Sequence, residues 1–211
     1  MEKRINLKRC AAALVGILFV GIGVAFNAQA KLGNDPVGIF YDGIRNAMGL
    51  SDVQLGLASN IVNIALVVLL LIIARKHISV GTLIYIIPYG FCVDVGTKLY
   101  QLFFAQGDMP LRVLAVVLGC LSIFWGVAIF IVADIGVDPM TGLSLFMAES
   151  LKWEYFKAKI LFDVTMTVIG FLLGGKLGVI TLITSVIGGP GIQFFTNLLK
   201  KIVGTISARR G

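Results

Sequence analysis

The chain has 211 residues, of which 58% are hydrophobic and only 14% charged, and its mean hydropathy is +0.96. Soluble domains carry about a quarter charged residues, so a soluble globular protein is excluded. The net charge of +7 is distributed as a membrane-topology signal, set out below, rather than as a nucleic-acid-binding surface.

Apolar stretches of 18 or more residues read as membrane spans. Six occur, at roughly 11–30, 54–74, 79–104, 111–133, 157–174 and 179–199. They leave no room for a soluble domain and predict an all-α polytopic membrane protein with the lipid bilayer as its first partner. With the N-terminus inside, the inner face would receive Lys3, Arg4, Lys8, Arg9, Arg75, Lys76, Lys152, Lys157, Lys159, Lys200, Lys201, Arg209 and Arg210. The outer side would hold Lys31, Arg45, Lys98, Arg112 and Lys176. This split of 13 to 5 follows the positive-inside rule and predicts two cytoplasmic termini.

The first span, "AAALVGILFVGIGVAFNAQA", follows a basic segment and ends in Ala28-Gln29-Ala30, a pattern that a cleaved signal peptide would share. Its end, however, has a copy deep in the chain. Residues 23–36, "GVAFNAQAKLGNDP", lie on residues 126–139, "GVAIFIVADIGVDP", at an offset of 103, with seven of fourteen positions identical. Residues 82–90, "TLIYIIPYG", lie on 181–189, "TLITSVIGG", at an offset of 99, with four of nine identical. A processing site has no reason to recur inside the chain, so the first span is read as retained. The fall in offset places a four-residue deletion near Lys176.

The duplication divides the chain at 1–106 and 107–211, with three spans in each part. Because three is odd, the second copy must enter the bilayer from the opposite side. Inverted repeats of this kind are a frequent build of secondary transporters, with the solute site between the halves.

After spans one and four comes Gly-x-Asp-Pro. Asp35 and Asp138 suit a helix N-cap, and Pro36 and Pro139 the first helical position. Val37, Phe40, Ile44 and Met48 then recur at helical spacing, as do Met140, Leu143, Met147 and Leu151. At about 20 Å each, these amphipathic helices are too short to span. They either lie in the interface or dip inward as re-entrant half-helices whose positive ends could border a site.

Ionisable and amide side chains within spans are costly and thus functional candidates. Asp163 lies in span five, and its counterpart at offset 103 is Asn60, with Asn63 a turn further on. Equivalent polar positions suit a central solute or ion pathway, and equally suit hydrogen-bond contacts between helices. Asp94 in span three has Lys98 four residues later, the spacing of a same-helix ion pair. A cation-coupled carboxylate is the other reading. Helix breaks are expected in spans three and six, at Pro88 and Gly90 and at Gly189, Pro190 and Gly191.

Cys10, Cys92 and Cys120 are isolated and form no metal or disulfide pattern. His77, the one histidine, sits in the basic "ARKH" loop and reads as a solvated interface residue. No Gly-rich nucleotide loop, His-Glu-x-x-His or Gly-x-Ser-x-Gly occurs, so no enzyme activity, cofactor or metal is expected.

The paired "LGNDP" and "IGVDP", with "GTLIYIIPYG" and "ITLITSVIGGPG" opening spans three and six, resemble the YczE/YyaS/YitT family of bacterial integral membrane proteins across essentially the whole chain. The resemblance implies a six-span protein of the bacterial inner membrane. With no cytoplasmic domain after the spans, the chain is expected to fall in the shorter YczE-like branch. The functional expectation is a secondary transporter or exporter of a small solute. The alternatives are a non-transporting accessory or scaffold protein and a passive channel. A homodimer is compatible with so small a bundle.

Overall fold

The computed structural model describes residues 7–208. Lys3, Arg4, Arg209 and Arg210, counted above among the inner cations, lie outside the described residues. Eight α-helices follow one another: α1 Leu7–Ala30, α2 Pro36–Ala47, α3 Leu55–Ile73, α4 Val80–Phe104, α5 Met109–Ala133, α6 Pro139–Leu151, α7 Tyr155–Leu172 and α8 Val179–Ala208. Single 3₁₀ turns, Asp52–Gln54 and Arg75–His77, flank α3. Among the described residues there is no strand.

Four helices are long and apolar enough to cross a membrane: α1, α3 with its preceding turn, α4 and α5. α8 bends by 51° between Ser185 and Ile187 and makes a fifth if its two arms form one span. α7 has 18 residues and carries Lys157, Lys159 and Asp163 within them. Its charge density separates it from the other four.

Large apolar side chains lie on the surface as well as in the core. Ile64, Val68, Ile72, Val117, Val164 and Leu172 are among many large apolar side chains left exposed, whereas Asn27, Ser59, Asn63, Thr82 and Ser144 have no exposed surface. Exposed apolar bands of this extent require an apolar surround, and interior polar groups then supply contacts that dispersion alone would not.

The bundle is organised on α1 and α5, which run antiparallel. Arg9 meets Asp134 at one end, and the Arg112 guanidinium donates to the Ala30 carbonyl at the other. Between them the backbones touch at glycine. A Cβ on Gly16 would come 2.7 Å from the Gly126 carbonyl oxygen, and one on Gly126 would come 2.6 Å from that of Gly16. Gly23 and Gly119 oppose each other in the same way. At the centre the Ser122 hydroxyl donates to the Phe19 carbonyl at 2.7 Å. Phe19 and Ser122 are themselves 103 residues apart, and Gly16 and Gly23 are the counterparts of Gly119 and Gly126. The contact is therefore self-complementary, as an isologous interface is.

The same offset recurs in the backbone. Lys31, Gly33 and Gly49 have positive φ, and so do Asp134, Gly136 and Lys152. In Gly-x-Asp-Pro the glycines take φ of +107° and +125°, a region open to glycine without steric cost. That conformation turns the chain out of α1 or α5 and back toward the bundle. Each turn is tied to a distant helix start: Ile180 N–H donates to the Leu32 carbonyl at 3.3 Å, and Gly81 N–H to the Ile135 carbonyl at 2.9 Å.

The glycine seam generates a prediction. Gly126→Leu would force backbone apart where a single Cβ already collides with Gly16 and Val20. Overpacking of this kind costs about 1–3 kcal/mol, so thermal unfolding in detergent should shift clearly downward. The same substitution at Gly189, whose Cβ would meet nothing within 4 Å, should leave it unchanged.

Candidate functional site

α2 and α6 are set by their caps. The Asp35 carboxylate accepts from Gly38 N–H at 3.3 Å. Asp138 accepts from Thr141 N–H at 3.0 Å and from the Thr141 hydroxyl at 2.6 Å. Pro36 and Pro139 occupy the first helical position in each. Neither helix rests on a surface by one stripe. α2 packs between α3 and α7, and so does α6. In α2 the Val37, Phe40 and Ile44 stripe is only partly buried. Ile39, Tyr41 and Arg45 are 0%, 1% and 4% exposed, so the helix is covered beyond the face its sequence marks as apolar.

Between the two helix starts lies an aromatic core that the sequence pattern did not single out. Tyr41 of α2 faces Tyr89 of α4 with ring centroids 5.8 Å apart, Tyr89 stacks on Tyr85 at 4.8 Å, and Tyr85 meets Phe130 of α5 edge-on at 5.7 Å. The Tyr41 hydroxyl donates to Asn63 Oδ1 of α3 at 3.1 Å. Both Asp35 and Asp138 lie within electrostatic reach of Tyr41 and Tyr85. Several buried polar atoms here have no protein partner: Asn34 Nδ2, Asp35 Oδ1 and Asn63 Nδ2. Unmatched donors and an acceptor near one core are unusual in a folded interior. They are the groups with which a bound polar molecule would pair.

The other candidates divide between two helix pairs. Asn60 accepts from Gly90 N–H at 2.9 Å, so it joins α3 to α4. The expected Asp94–Lys98 ion pair is not formed; the Asp94 carboxylate lies against Gly56 at the start of α3, and its Oδ1 is buried without a hydrogen-bond partner. The i,i+4 spacing gave way to packing: Asp94 is enclosed in the α3–α4 contact, where a Cβ on Gly56 would meet its carboxylate, while Lys98 stays exposed. Asp163 is paired with Lys159 one turn earlier, within electrostatic reach of Asp35 and Tyr155.

The expected break at Pro88 and Gly90 is absent: α4 is helical throughout. Gly90 instead admits Asn60 to the backbone. Gly189, Pro190 and Gly191 are likewise helical, the bend of α8 lying just before them, and Gly191 packs on the Phe124 ring.

The far ends of α2 and α6 are fastened at opposite ends of the bundle. Arg45 of α2, almost fully buried, bonds Asp42 at 2.9 Å, Asp52 at 3.1 Å and the Leu50 carbonyl at 2.7 Å. Lys31 bonds Asp52 at 3.1 Å, and the Asn46 amide donates to the Gly174 carbonyl at 2.6 Å. On α6, Glu149 accepts from Lys76 at 2.5 Å and lies 3.0 Å from His77 Nε2. His77, read from sequence as solvated, has only 9% of its side chain exposed because it is enclosed against α6. Glu149 is counterpart to Asn46 at the offset of 103.

All-helical order, exposed apolar bands and four or five helices fit to cross a bilayer define a membrane protein. Residues 7–197 match the model of a family of unknown function, DUF6198, and the chain belongs to that family. It is similar to an uncharacterized protein of Haemophilus influenzae, 23% identical over 195 residues, which cover 92% of this chain and 86% of that protein. It also resembles two Bacillus subtilis proteins at 21% identity. The uncharacterized protein YyaS aligns over 89% of this chain and 92% of its own length. The uncharacterized membrane protein YczE aligns over 92% and 88%. The kinship with YczE and YyaS expected from the Asp-Pro repeats therefore holds. No solved structure matches the chain.

The fastenings can be tested at two places. Tyr41→Phe keeps the ring contacts but takes the donor from Asn63, whose Nδ2 is already unmatched. A buried polar group stranded in this way costs roughly 1–3 kcal/mol, so the thermal midpoint should fall, and Tyr41→Phe with Asn63→Leu should recover part of the loss. Glu149 is held below its usual value of 4.5, first by the Lys76 hydrogen bond and then by His77. A carboxylate lowered in this way stabilises the fold fully above its unfolded pKa and loses that contribution as pH falls through the folded one. Amide exchange at the end of α6, referenced to α5, should quicken on acidification below pH 4.5, and Glu149→Gln should abolish that dependence.

Proposed function

We propose that the protein is a secondary transporter or exporter of a small solute, built as two inverted three-span repeats of six crossings in which α7 and α8 complete the second repeat. The observation that carries this reading is the pair of capped half-helices. α2 and α6 start beside the same tyrosines, run to opposite ends of the bundle, and each lies between α3 of the first repeat and α7 of the second. Half-helices meeting at a repeat interface place positive N-terminal ends and unmatched polar atoms where a solute would bind. The self-complementary glycine contact and the positive-φ positions recurring at an offset of 103 support the duplication.

In this reading the protein sits in the bacterial cytoplasmic membrane with both termini inside. Lys8, Arg9, Arg75, Lys76, Lys152 and Lys157 gather at the end where α1 begins, and Lys31, Arg45, Arg112 and Lys176 at the other. The carboxylates of the core carry the coupling ion or solute; no nucleotide or metal takes part, and no covalent chemistry occurs. The networks of Arg45 and Glu149 close the path at its two ends.

Opposite orientation of the half-helices is testable in sealed vesicles. Cys10, Cys92 and Cys120, all free thiols, are replaced by alanine, and a single cysteine is placed at Met48 or at Leu151, both exposed. A membrane-impermeant maleimide should label the Met48 site from outside and the Leu151 site only from the cytoplasmic side. Labelling of both from one side would overturn the inverted repeat.

A further inference from the structure

The last helix of each repeat starts against a distant turn, and the two starts are not fastened alike. At the start of α4 the Ser79 and Thr82 side chains hold the turn that precedes α6. The Thr82 hydroxyl donates to the Val137 carbonyl at 2.6 Å, and Val137 N–H donates to the Ser79 hydroxyl at 3.1 Å. Gly81 N–H adds its backbone bond to the Ile135 carbonyl. The equivalent positions at the start of α8 are Gly178 for Ser79, Ile180 for Gly81 and Thr181 for Thr82. Glycine brings no hydroxyl, and a Cβ there would come 2.0 Å from the Leu32 carbonyl oxygen. Among the described residues, the 3.3 Å bond from Ile180 N–H to Leu32 is the one hydrogen bond left between α8 and the turn before α2.

Three further features set this start apart. Its hydroxyls are bonded within the segment: those of Thr184 and Ser185 donate to the Ile180 and Thr181 carbonyls, and that of Thr181 accepts from Gly178 N–H. Next, α8 bends by 51° between Ser185 and Ile187. Pro190 is the cause, since it offers no N–H to the carbonyl four residues earlier and its ring crowds that carbonyl. Last, a groove of about 630 Å³ separates the segment from α7, with Thr181, Leu182 and Ser185 on one wall and Val164 and Thr167 on the other. In the first repeat α4 and α3 touch: Gly90 N–H donates to Asn60, and a methyl group at Gly56 would collide with the Asp94 carboxylate. The copy has Asp163 for Asn60 and Lys159 for Gly56. Val179–Ser185 is therefore a short arm with a bend at one end, a single tie at the other and space beside it.

We propose that this arm is a gate: Val179–Ser185 swings on the Pro190 bend into the groove and uncovers the turn before α2. The arm sits directly on that turn, since a Cβ on Gly33 would come 2.8 Å from Gly178 and 2.9 Å from the Thr181 hydroxyl oxygen. The next two residues, Asn34 and Asp35, hold buried atoms without a partner, and the swing opens a way to them. It releases the Ile180 bond and the packing of the Ile180 side chain on the Phe26 cluster, but strands no hydroxyl. The start of α4 has no such freedom, because Ser79 and Thr82 tie it down and Asn60 holds its helix to α3. One end of the bundle thus opens while the other stays shut. The movement stands on these contacts alone. That it admits a solute rests on the transporter reading, in which this end faces outward.

Amide exchange on the unmodified chain in nanodiscs tests the movement first. After correction for intrinsic rates, Ile180 N–H should exchange about tenfold or more faster than its equivalent, Gly81 N–H. Equal protection of the two overturns the gate. The second test is Asn34→Cys, at a position only 3% exposed, with Cys10, Cys92 and Cys120 replaced by alanine. A membrane-impermeant maleimide should label it from outside sealed vesicles. Pro190→Ala restores the missing helical hydrogen bond, and Leu182→Trp fills the groove, so each should slow labelling about tenfold or more. Labelling unchanged by both substitutions, or absent from either side of the membrane, overturns the gate. Labelling from the cytoplasmic side alone, slowed by both substitutions, supports the moving arm and overturns the outward orientation that the transporter reading gives this end.

Discussion

A helix that starts among packed helices finds no water for its first amides, so it must bring its own cap. The short helices α2 and α6 depend on that constraint. Each begins among packed helices rather than at an end of the bundle, and each exposes unbonded amides there. Asp35 and Asp138 answer those amides, and Pro36 and Pro139 remove one donor from each. The glycines before them give the chain the left-handed turn needed to leave a spanning helix and re-enter the bundle. Four residues, used twice, thus make a buried helix start possible.

Everything else in the core is arranged around those two starts. The glycine contacts of α1 and α5 bring the turns into one molecule at a fixed separation, because a larger side chain at Gly16 or Gly126 would push the backbones apart. α3 and α7 then serve as shared walls, each touching both half-helices. Tyr41, Tyr85 and Tyr89 fill the space between with rings whose hydroxyls can still bond. The polar side chains of the interior therefore have two kinds of duty. Asn60 closes a helix pair, while Asn63 and Asp35 keep atoms without partners.

Much of this was legible from the residues. Asp-Pro after glycine announced a capped helix start, and the offsets of 103 and 99 set the correspondence of positions that the backbone angles also obey. What could not be read was set by partners distant in sequence. The tyrosines stand in no motif of their own, since nothing local says that Tyr41 of α2 will meet Asn63 of α3. Asp94 went to the helix start of α3 rather than the lysine on its own helix. Pro88 broke nothing because α4 is held by neighbours along its length, and packing can override an intrinsic helix breaker of roughly 3 kcal/mol. His77 was read from its basic neighbours, and α6, which covers it, comes from far along the chain.

The segments that align at offsets of 103 and 99 differ most in how closely their helices pack. Gly56 lets α4 settle on α3, and Lys159 at the same place in the copy forbids that settlement for α8. A lysine is a poor choice for a buried helix contact, because its charge would be desolvated and its length would leave a void. It becomes a reasonable one where the helices are to stay apart, since the side chain then pairs with Asp163 along its own helix and reaches toward Asp35. The Asn60 to Asp163 difference obeys the same logic. An amide suits a closed contact, where it can accept a hydrogen bond from the Gly90 amide and remain neutral. A carboxylate suits the open side of α7, where its charge is balanced by Lys159 one turn earlier on the same helix.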